Sequence, residues 1–233
     1  MNKILLLASA AAVFAFSFEA NACDLKPYIS AKINAASVNN KLKLSQAEFW
    51  EPQPEYAEIQ DDFRNDIHDN TWGFSLAAGI KKELEKGAVR AEFEFTRFQP
   101  TSSYMTLSGR QTKYKTQIHS YMINAYYDFN TDSAFTPYIG GGIGYAKTKL
   151  SETKGRRGTK SNSHTNFAWQ IGGGIAYAVN DNVSIDVGYR YVDYGKFDKI
   201  TRIDDFGELG PDAYRTSIDT TANELYAGIR YTF

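Results

Sequence analysis

Three histidines and one cysteine are the residues of this 233-residue chain whose types most readily do chemistry. His119 is followed directly by Ser120, but neighbours on a strand point to opposite faces, so the two cannot form a nucleophile–base pair. His68 lies between acidic residues, with no cysteine and no second histidine nearby to complete a metal site. We therefore predict no catalytic and no metal-ligating residues.

Two glycine-rich stretches, 140–144 and 172–174, lack the features of phosphate-binding loops. Neither stretch leads into a predicted helix, and neither is followed by the Lys-Ser/Thr pair of a phosphate loop. We predict that these glycines let strands bend and pack closely, and we expect no bound cofactor.

Charged residues alternate with apolar ones along the chain. In segment 87–98, Arg90, Glu92 and Glu94 share one face, while Val89 and Phe93 lie on the other. The same alternation gives a balanced set of inward charges: Lys32, Lys81, Arg90, Glu92, Glu94, Asp128, Asp186, Arg190, Glu224 and Arg230. Because buried charges need partners, we predict an ion-pair network that plugs a closed barrel. The alternative, a soluble sheet with two wet faces, conflicts with the apolar residues opposite.

Eight period-two segments can be marked out, each long enough to cross a bilayer as a tilted strand. They are 27–38, 70–82, 87–98, 114–129, 136–147, 165–179, 182–195 and 222–233. The gaps between them alternate: the second, fourth and sixth are tight, and the other four are long. Tight turns at one end and long loops at the other are typical of an all-β, eight-stranded antiparallel up-and-down transmembrane barrel.

The final segment ends the chain with alternate apolar residues, Leu225, Ala227, Ile229, Tyr231 and Phe233. A strand facing lipid must pair along both edges, because hydrocarbon offers no other hydrogen-bond partner. We therefore expect this strand to close the barrel against the first one, in the outer membrane of a bacterium.

The N-terminus has the pattern of a cleaved secretory signal peptide. A short basic start precedes an apolar run from Ile4 to Phe18, and Ala20 and Ala22 form a small-x-small cleavage site. We predict a signal peptide over 1–22 and a barrel domain over 23–233. Cys23 would then be the first mature residue; a retained anchor and a lipid-modified Cys23 are the alternatives.

Composition fits this architecture. Aromatic residues make up 15% of the chain, and the net charge of −1 favours neither nucleic acid nor an anionic surface. The mean hydropathy of −0.44 looks soluble, but a barrel confines its lipid contacts to alternate residues, which a whole-chain average misses. Aromatic residues gather near the ends of the segments, as in two interfacial girdles.

Three stretches, 124–129, 137–145 and 226–233, resemble those of the small outer-membrane β-barrel family, which includes opacity-type proteins, bacterial surface antigens and the transmembrane domain of outer-membrane protein A. The resemblance covers the whole mature chain and is specific for architecture rather than activity. It implies insertion by the barrel-assembly machinery, which reads the terminal aromatic strand. That role falls on Leu225, Ile229, Tyr231 and Phe233.

The loops carry whatever function is specific to this chain. The first long gap is acidic and holds Phe49, Trp50 and Tyr56, and the third long gap is basic and holds Arg156 and Arg157. We expect a non-enzymatic, monomeric surface protein whose four loops serve structural support, adhesion or host interaction, in contact with outer-membrane lipid, lipopolysaccharide and host surface molecules. A small-solute pore and a lipid-modifying enzyme are the alternatives.

Overall fold

The chain forms one closed antiparallel sheet. The computed structural model describes residues 25–47, 63–107, 110–154, 159–202 and 213–233. Its strands are β1 (Leu25–Ala47), β2 (Phe63–Leu84), β3 (Gly87–Phe98), β4 (Thr101–Leu107), β5 (Arg110–Phe129), β6 (Phe135–Lys154), β7 (Thr159–Ala178), β8 (Val183–Arg202) and β9 (Ala213–Thr232). The described part of the chain contains no helix long and apolar enough to span a membrane.

The barrel has the predicted eight strand positions, which we call staves. Both β3 and β4 pair with β5, so together they occupy one strand position in the barrel. We call the end of the barrel with the tight turns the lower end and the opposite end the upper end, so that β3 is the lower part of this position and β4 the upper part. The break between them falls at Gln99 and Pro100, where proline has no N–H to donate to a ladder. The strand β1 pairs with β2 on one side and β9 on the other, which closes the barrel and confirms the predicted fold class.

The seam between the first and last strands runs to the end of the chain. Ile29 lies opposite Tyr231, and the Phe233 N–H donates to the Pro27 carbonyl at 2.9 Å. On the other side of β9, the Thr232 N–H donates to the Asn182 carbonyl at 2.8 Å. The terminal strand therefore pairs along both edges, as hydrocarbon requires.

Burial is inverted relative to a soluble protein. Large apolar side chains on the outer wall are exposed, including Ile33 (68%) and Ile123 (66%), whereas Glu94 and Glu224 inside are fully buried. Contact with water is unfavourable for a continuous apolar surface of this kind, whereas contact with lipid acyl chains is favourable. The outer wall is therefore a lipid-facing surface, and the polar face of every strand is the lumen.

Aromatic side chains edge this apolar band at both ends. At the end with the tight turns, Tyr127 packs on Phe129 and Tyr231 on Phe233, with ring centroids about 5 Å apart. At the opposite end a row runs across four staves in register, comprising Phe95, Tyr121, Tyr145 and Phe167. We call these four residues the aromatic row.

The strands extend well beyond the predicted bounds. The long gaps predicted at 39–69, 99–113, 148–164 and 196–221 are largely strand: β1 runs to Ala47 and β2 begins at Phe63, and the second of these gaps contains β4. The predicted strands were too short because they followed the alternation of apolar residues, which ends at the membrane boundary. The backbone ladder continues into water, where both faces can be polar.

One irregularity marks the upper part of β8. Its register with β9 shifts between Asp193 and Lys196, and Gly195 has a φ of 80°. That left-handed conformation suits glycine, and the Gly195 N–H donates to the Asp193 carboxylate at 2.8 Å.

A charge placed in the middle of the apolar band should be far more costly than one at its edge. Ile33→Arg is expected to lower the free energy of unfolding in lipid vesicles by about 2–4 kcal/mol, and Ser37→Arg on the same face of β1 by about 0–1 kcal/mol. Equilibrium urea unfolding measures both. Equal costs for the two variants would contradict the assignment of this wall to lipid.

Candidate functional site

The lumen holds a network of buried ion pairs, and Glu94 of β3 lies at the centre of this network. Its carboxylate accepts a hydrogen bond from Lys32 Nζ at 2.5 Å, a second from Arg190 Nη1, and a third from the Thr96 hydroxyl at 3.1 Å. Lys32 and Arg190 are themselves almost fully buried. Two cations therefore share one carboxylate, and each needs a second anion.

Glu92 is the second anion for Lys32. Lys32 Nζ donates to Glu92 at 3.0 Å, and the hydroxyls of Tyr28 and Tyr126 also donate to this carboxylate, each at 3.0 Å. The side-chain amide of Asn124 adds a further hydrogen bond at 3.2 Å. These neutral donors satisfy a buried charge that one cation alone would leave short of partners.

Glu224 of β9 is the second anion for Arg190. Arg190 Nε donates to it at 2.7 Å, and the Tyr194 hydroxyl donates to its other oxygen. The result is a chain of alternating charge that crosses the lumen through four strands. We call it the central ion chain: Glu92, Lys32, Glu94, Arg190 and Glu224.

Two further pairs lie towards the tight turns. Arg90 contacts Asp128 at 2.8 Å, and Arg230 contacts Asp186 at 3.3 Å, with all four side chains buried. Lys81 lies apart from these pairs. It is partly exposed beside the turn, and its Nζ lies 2.9 Å from Glu83.

The Glu83 carboxylate is the pairing group at that turn. Partial burial opposes its ionisation, but the hydrogen bond and charge of Lys81, together with the charge of Lys26, lower the pKa of this carboxyl below its ordinary value. Of the ten predicted interior charges, the structure thus brings nine into buried pairs and leaves Lys81 at the rim.

Tyrosines complete the lumen, and the sequence reasoning missed them. The Tyr138 and Tyr226 hydroxyls lie 3.0 Å apart, and the Arg90 guanidinium lies 4.6 Å from the Tyr126 ring centroid. Cations packed on aromatic faces gain stabilisation where water is excluded. The available signal was parity: Tyr126 and Tyr226 each lie two residues from an inward carboxylate, Asp128 and Glu224.

An apolar layer lies between the central ion chain and the upper hairpins. Phe98 and Tyr194 meet edge to face with centroids 6.4 Å apart. The rest of this layer is formed by buried aliphatic side chains: Ala36, Val38, Ile118, Met122, Ala146, Ala168, Val192 and Ala222. Charge and apolar contact therefore close the lumen in two successive layers.

Inward glycines make room for the larger groups. A Cβ built on Gly140 would collide with the Tyr126 ring, and one on Gly142 would collide with the Asn124 amide oxygen. A small void lined by Gln170 and Arg190 has room for about one water molecule. The glycine-rich stretches thus serve close packing, as the sequence indicated.

The histidines do not assemble a reactive centre among the described residues. His119 lies on the outer wall, and its neighbour Ser120 is buried in the lumen. His68 is exposed near the loop end, and no group of three metal-ligating side chains occurs in the described ranges. The loop candidates Phe49, Trp50, Tyr56, Arg156 and Arg157 lie outside the described residues, as do Ala20, Ala22 and Cys23.

The proteins to which this chain is similar agree with the barrel architecture. A family model described as outer membrane protein beta-barrel domain matches residues 4–233. Outer membrane protein PagN of Salmonella typhimurium is 40% identical over 126 residues, 52% of this chain and 52% of PagN, so the match spans about half the length of that relative. The Rickettsia conorii protein named "Putative adhesin RC1281" is 26% identical over 258 residues, 99% of each chain.

Among solved structures, a major outer membrane protein from Thermus thermophilus superposes with a TM-score of 0.52 at 11% sequence identity. The superposition covers 84% of this chain and 99% of the Thermus chain. At this identity the likeness concerns the fold alone.

Removing the charge of Glu94 should destabilise the barrel strongly. Glu94→Gln leaves Lys32 and Arg190 each short of an anion, so the free energy of unfolding should fall by about 3–5 kcal/mol. The matched control, Glu83→Gln, removes a half-exposed carboxylate and should cost about 0–1 kcal/mol. Urea unfolding in lipid vesicles measures both, and losses within about 1 kcal/mol of each other would refute the central role of Glu94.

Proposed function

The chain belongs to the outer membrane protein beta-barrel family, and we propose that it is a non-enzymatic surface protein whose sealed barrel displays hairpins for adhesion to a host. The single observation that carries this proposal is the closed lumen beneath long projecting strands. A barrel that is filled inside and coated by lipid outside leaves its upper ends as the surface available to a soluble partner.

The two ends of the barrel fix its proposed orientation. Tight connections join Leu84 to Gly87, Phe129 to Phe135 and Ala178 to Val183, and Leu25 and Phe233 lie at the same end. Bacterial barrels place short turns in the periplasm and long connections outside the cell. The upper parts of β1, β2 and β4–β9 then project from the cell.

Adhesion is supported by kinship rather than by a described binding site. The Rickettsia conorii relative, which aligns over nearly the whole chain, is named "Putative adhesin RC1281". The residues we propose for contact are the aromatic Phe49, Trp50 and Tyr56, which lie between β1 and β2 in the sequence, and the basic Arg156 and Arg157, which lie between β6 and β7. Rigid aromatic rings and arginine are the side chains most enriched in interface hot spots.

We propose the remaining partners from the outer wall. Leu225, Ile229, Tyr231 and Phe233 present one exposed apolar face along β9, and we infer that the barrel-assembly machinery reads this strand. Both edges of β9 are paired once the barrel closes, which supports a monomer surrounded by outer-membrane lipid and lipopolysaccharide.

The filled lumen should not conduct. In planar bilayers, the purified protein is expected to show no steady openings of porin size, because the side chains of the central ion chain and the apolar layer fill a narrow eight-stranded lumen. A porin reconstituted in the same bilayers provides the positive control. Steady conductance from this protein at comparable unitary size would overturn the sealed-barrel proposal.

Host-cell binding should depend on the first and third upper hairpins. Replacing residues 48–62 or 155–158 with short Gly-Ser linkers is expected to reduce binding of the protein to host cells at least fivefold. The matched control replaces residues 203–212, which connect β8 and β9 in the sequence, and should retain binding. Heat-modifiable gel mobility verifies that each variant is folded, and undiminished binding after the first two replacements would count against adhesion through these hairpins.

A further inference from the structure

A group of basic side chains lies on the outer wall just beyond the apolar band. Arg97 of β3, His119 of β5 and Lys147 of β6 are in direct cross-strand register. Lys149 lies two residues further along β6, and Lys115 four residues further along β5, on the same outward face. We call these five residues the basic patch.

The aromatic row lies directly beneath the basic patch. Each of Phe95, Tyr121 and Tyr145 lies two positions from a patch residue along its strand, a step of about 7 Å. The Phe95 ring stacks on the His119 ring with centroids 6.2 Å apart. Because such rings mark the boundary between acyl chains and headgroups, the basic patch lies at headgroup depth.

No carboxylate pairs with the patch among the described side chains. Register neighbours on β7 are Thr165 and Ser163. On the opposite wall the arrangement is different, since Asp219 lies in register between Lys41 and Lys196. Among the side chains that the structure describes, the unpaired positive charge beyond the apolar band is thus concentrated on β3, β5 and β6.

His119 is partly buried, and its ring stacks on that of Phe95, so it is not one of the exposed side chains of the patch. The exposed cations of the patch are therefore Arg97, Lys115, Lys147 and Lys149. Concentrated, exposed and unpaired cations favour a ligand with more than one negative group.

We propose that the basic patch is a binding site for the phosphate groups of lipopolysaccharide in the outer leaflet. A guanidinium can hold a phosphate with two parallel hydrogen bonds, and the lysines on β6 add point charges at adjacent positions. The aromatic row below would contact the acyl chains of the same molecule. A soluble polyanion gains nothing from these rings, so the pairing of charge and aromatic surface favours a lipid ligand.

This inference rests on the orientation given under the proposed function, which places the upper parts of β5 and β6 outside the cell and the end of β3 at the outer leaflet. It does not rest on adhesion, because the patch lies on the wall of the barrel and not at the hairpin tips. The two proposals can therefore fail separately.

The test compares two multiple variants with the wild-type protein in detergent micelles. The patch variant carries Arg97→Gln, Lys147→Gln and Lys149→Gln. The control variant carries Lys41→Gln and Lys196→Gln, which removes outer cations from the opposite wall. The probes are purified lipopolysaccharide, the same material after enzymatic dephosphorylation, and heparin fragments, each titrated with a fluorescent label.

We expect the patch variant to bind lipopolysaccharide at least tenfold more weakly than wild type, and the control variant to bind within twofold. The wild-type protein should lose a similar factor with dephosphorylated lipopolysaccharide, and raising the salt concentration should weaken the phosphate-dependent binding. Unchanged binding by the patch variant, or equal binding of the dephosphorylated probe, would overturn the proposal. Heparin that binds as tightly as lipopolysaccharide, and is lost in the patch variant, would also overturn it in favour of a soluble polyanion.

Folding and function are measured alongside. Heat-modifiable gel mobility reports whether the patch variant is folded; if it is not, Lys147→Gln and Lys149→Gln singly should each weaken binding about threefold, and no weakening in either would contradict the site. Host-cell binding by the patch variant is expected to equal that of the wild type, since its hairpin tips are unchanged.

Discussion

Hydrocarbon has no hydrogen-bonding partners for a backbone, and the fold follows from that constraint. Every N–H and C=O within the apolar band must pair with another strand, so the sheet can have no free edge. The register between Ile29 and Tyr231, extended to the hydrogen bond from Phe233 to Pro27, meets this requirement at the seam. Once the sheet is closed, the alternation of side chains sends one face to lipid and the other into a narrow lumen.

The lumen then has to accommodate buried charge at low cost. Isolated ions there would be penalised by several kcal/mol each, but the central ion chain alternates in sign and draws extra donors from tyrosine, threonine and asparagine. Glycines on neighbouring strands keep the wall thin where Tyr126 and Asn124 are bulky. The interior is thus polar, and its buried charges are held in a network of ion pairs and hydrogen bonds.

Parity along each strand was sufficient to predict the fold class, the two faces and the residues that point inward. Parity could not predict which inward residues form ion pairs with one another. Lys32 meets Glu94 across 62 residues of sequence, and that meeting depends on the stagger between staves, which no local pattern encodes. Lys81 has the right parity but lies too near a turn to be buried. The strand ends were also misjudged, because the amphipathic signal ends at the membrane boundary while the ladder of backbone bonds does not.

The upper parts of the strands extend well beyond the apolar band. From Val38 to Ala47, β1 continues for about 30 Å of backbone at roughly 3.3 Å per residue, or about 23 Å of height at a typical tilt of about 40°. This part of β1 is paired with β2 on one side and β9 on the other, so it continues the closed sheet beyond the apolar band. Substitutions there leave the lipid-facing wall and the buried ion pairs unchanged, so the sequence above the membrane can vary without a cost to the barrel.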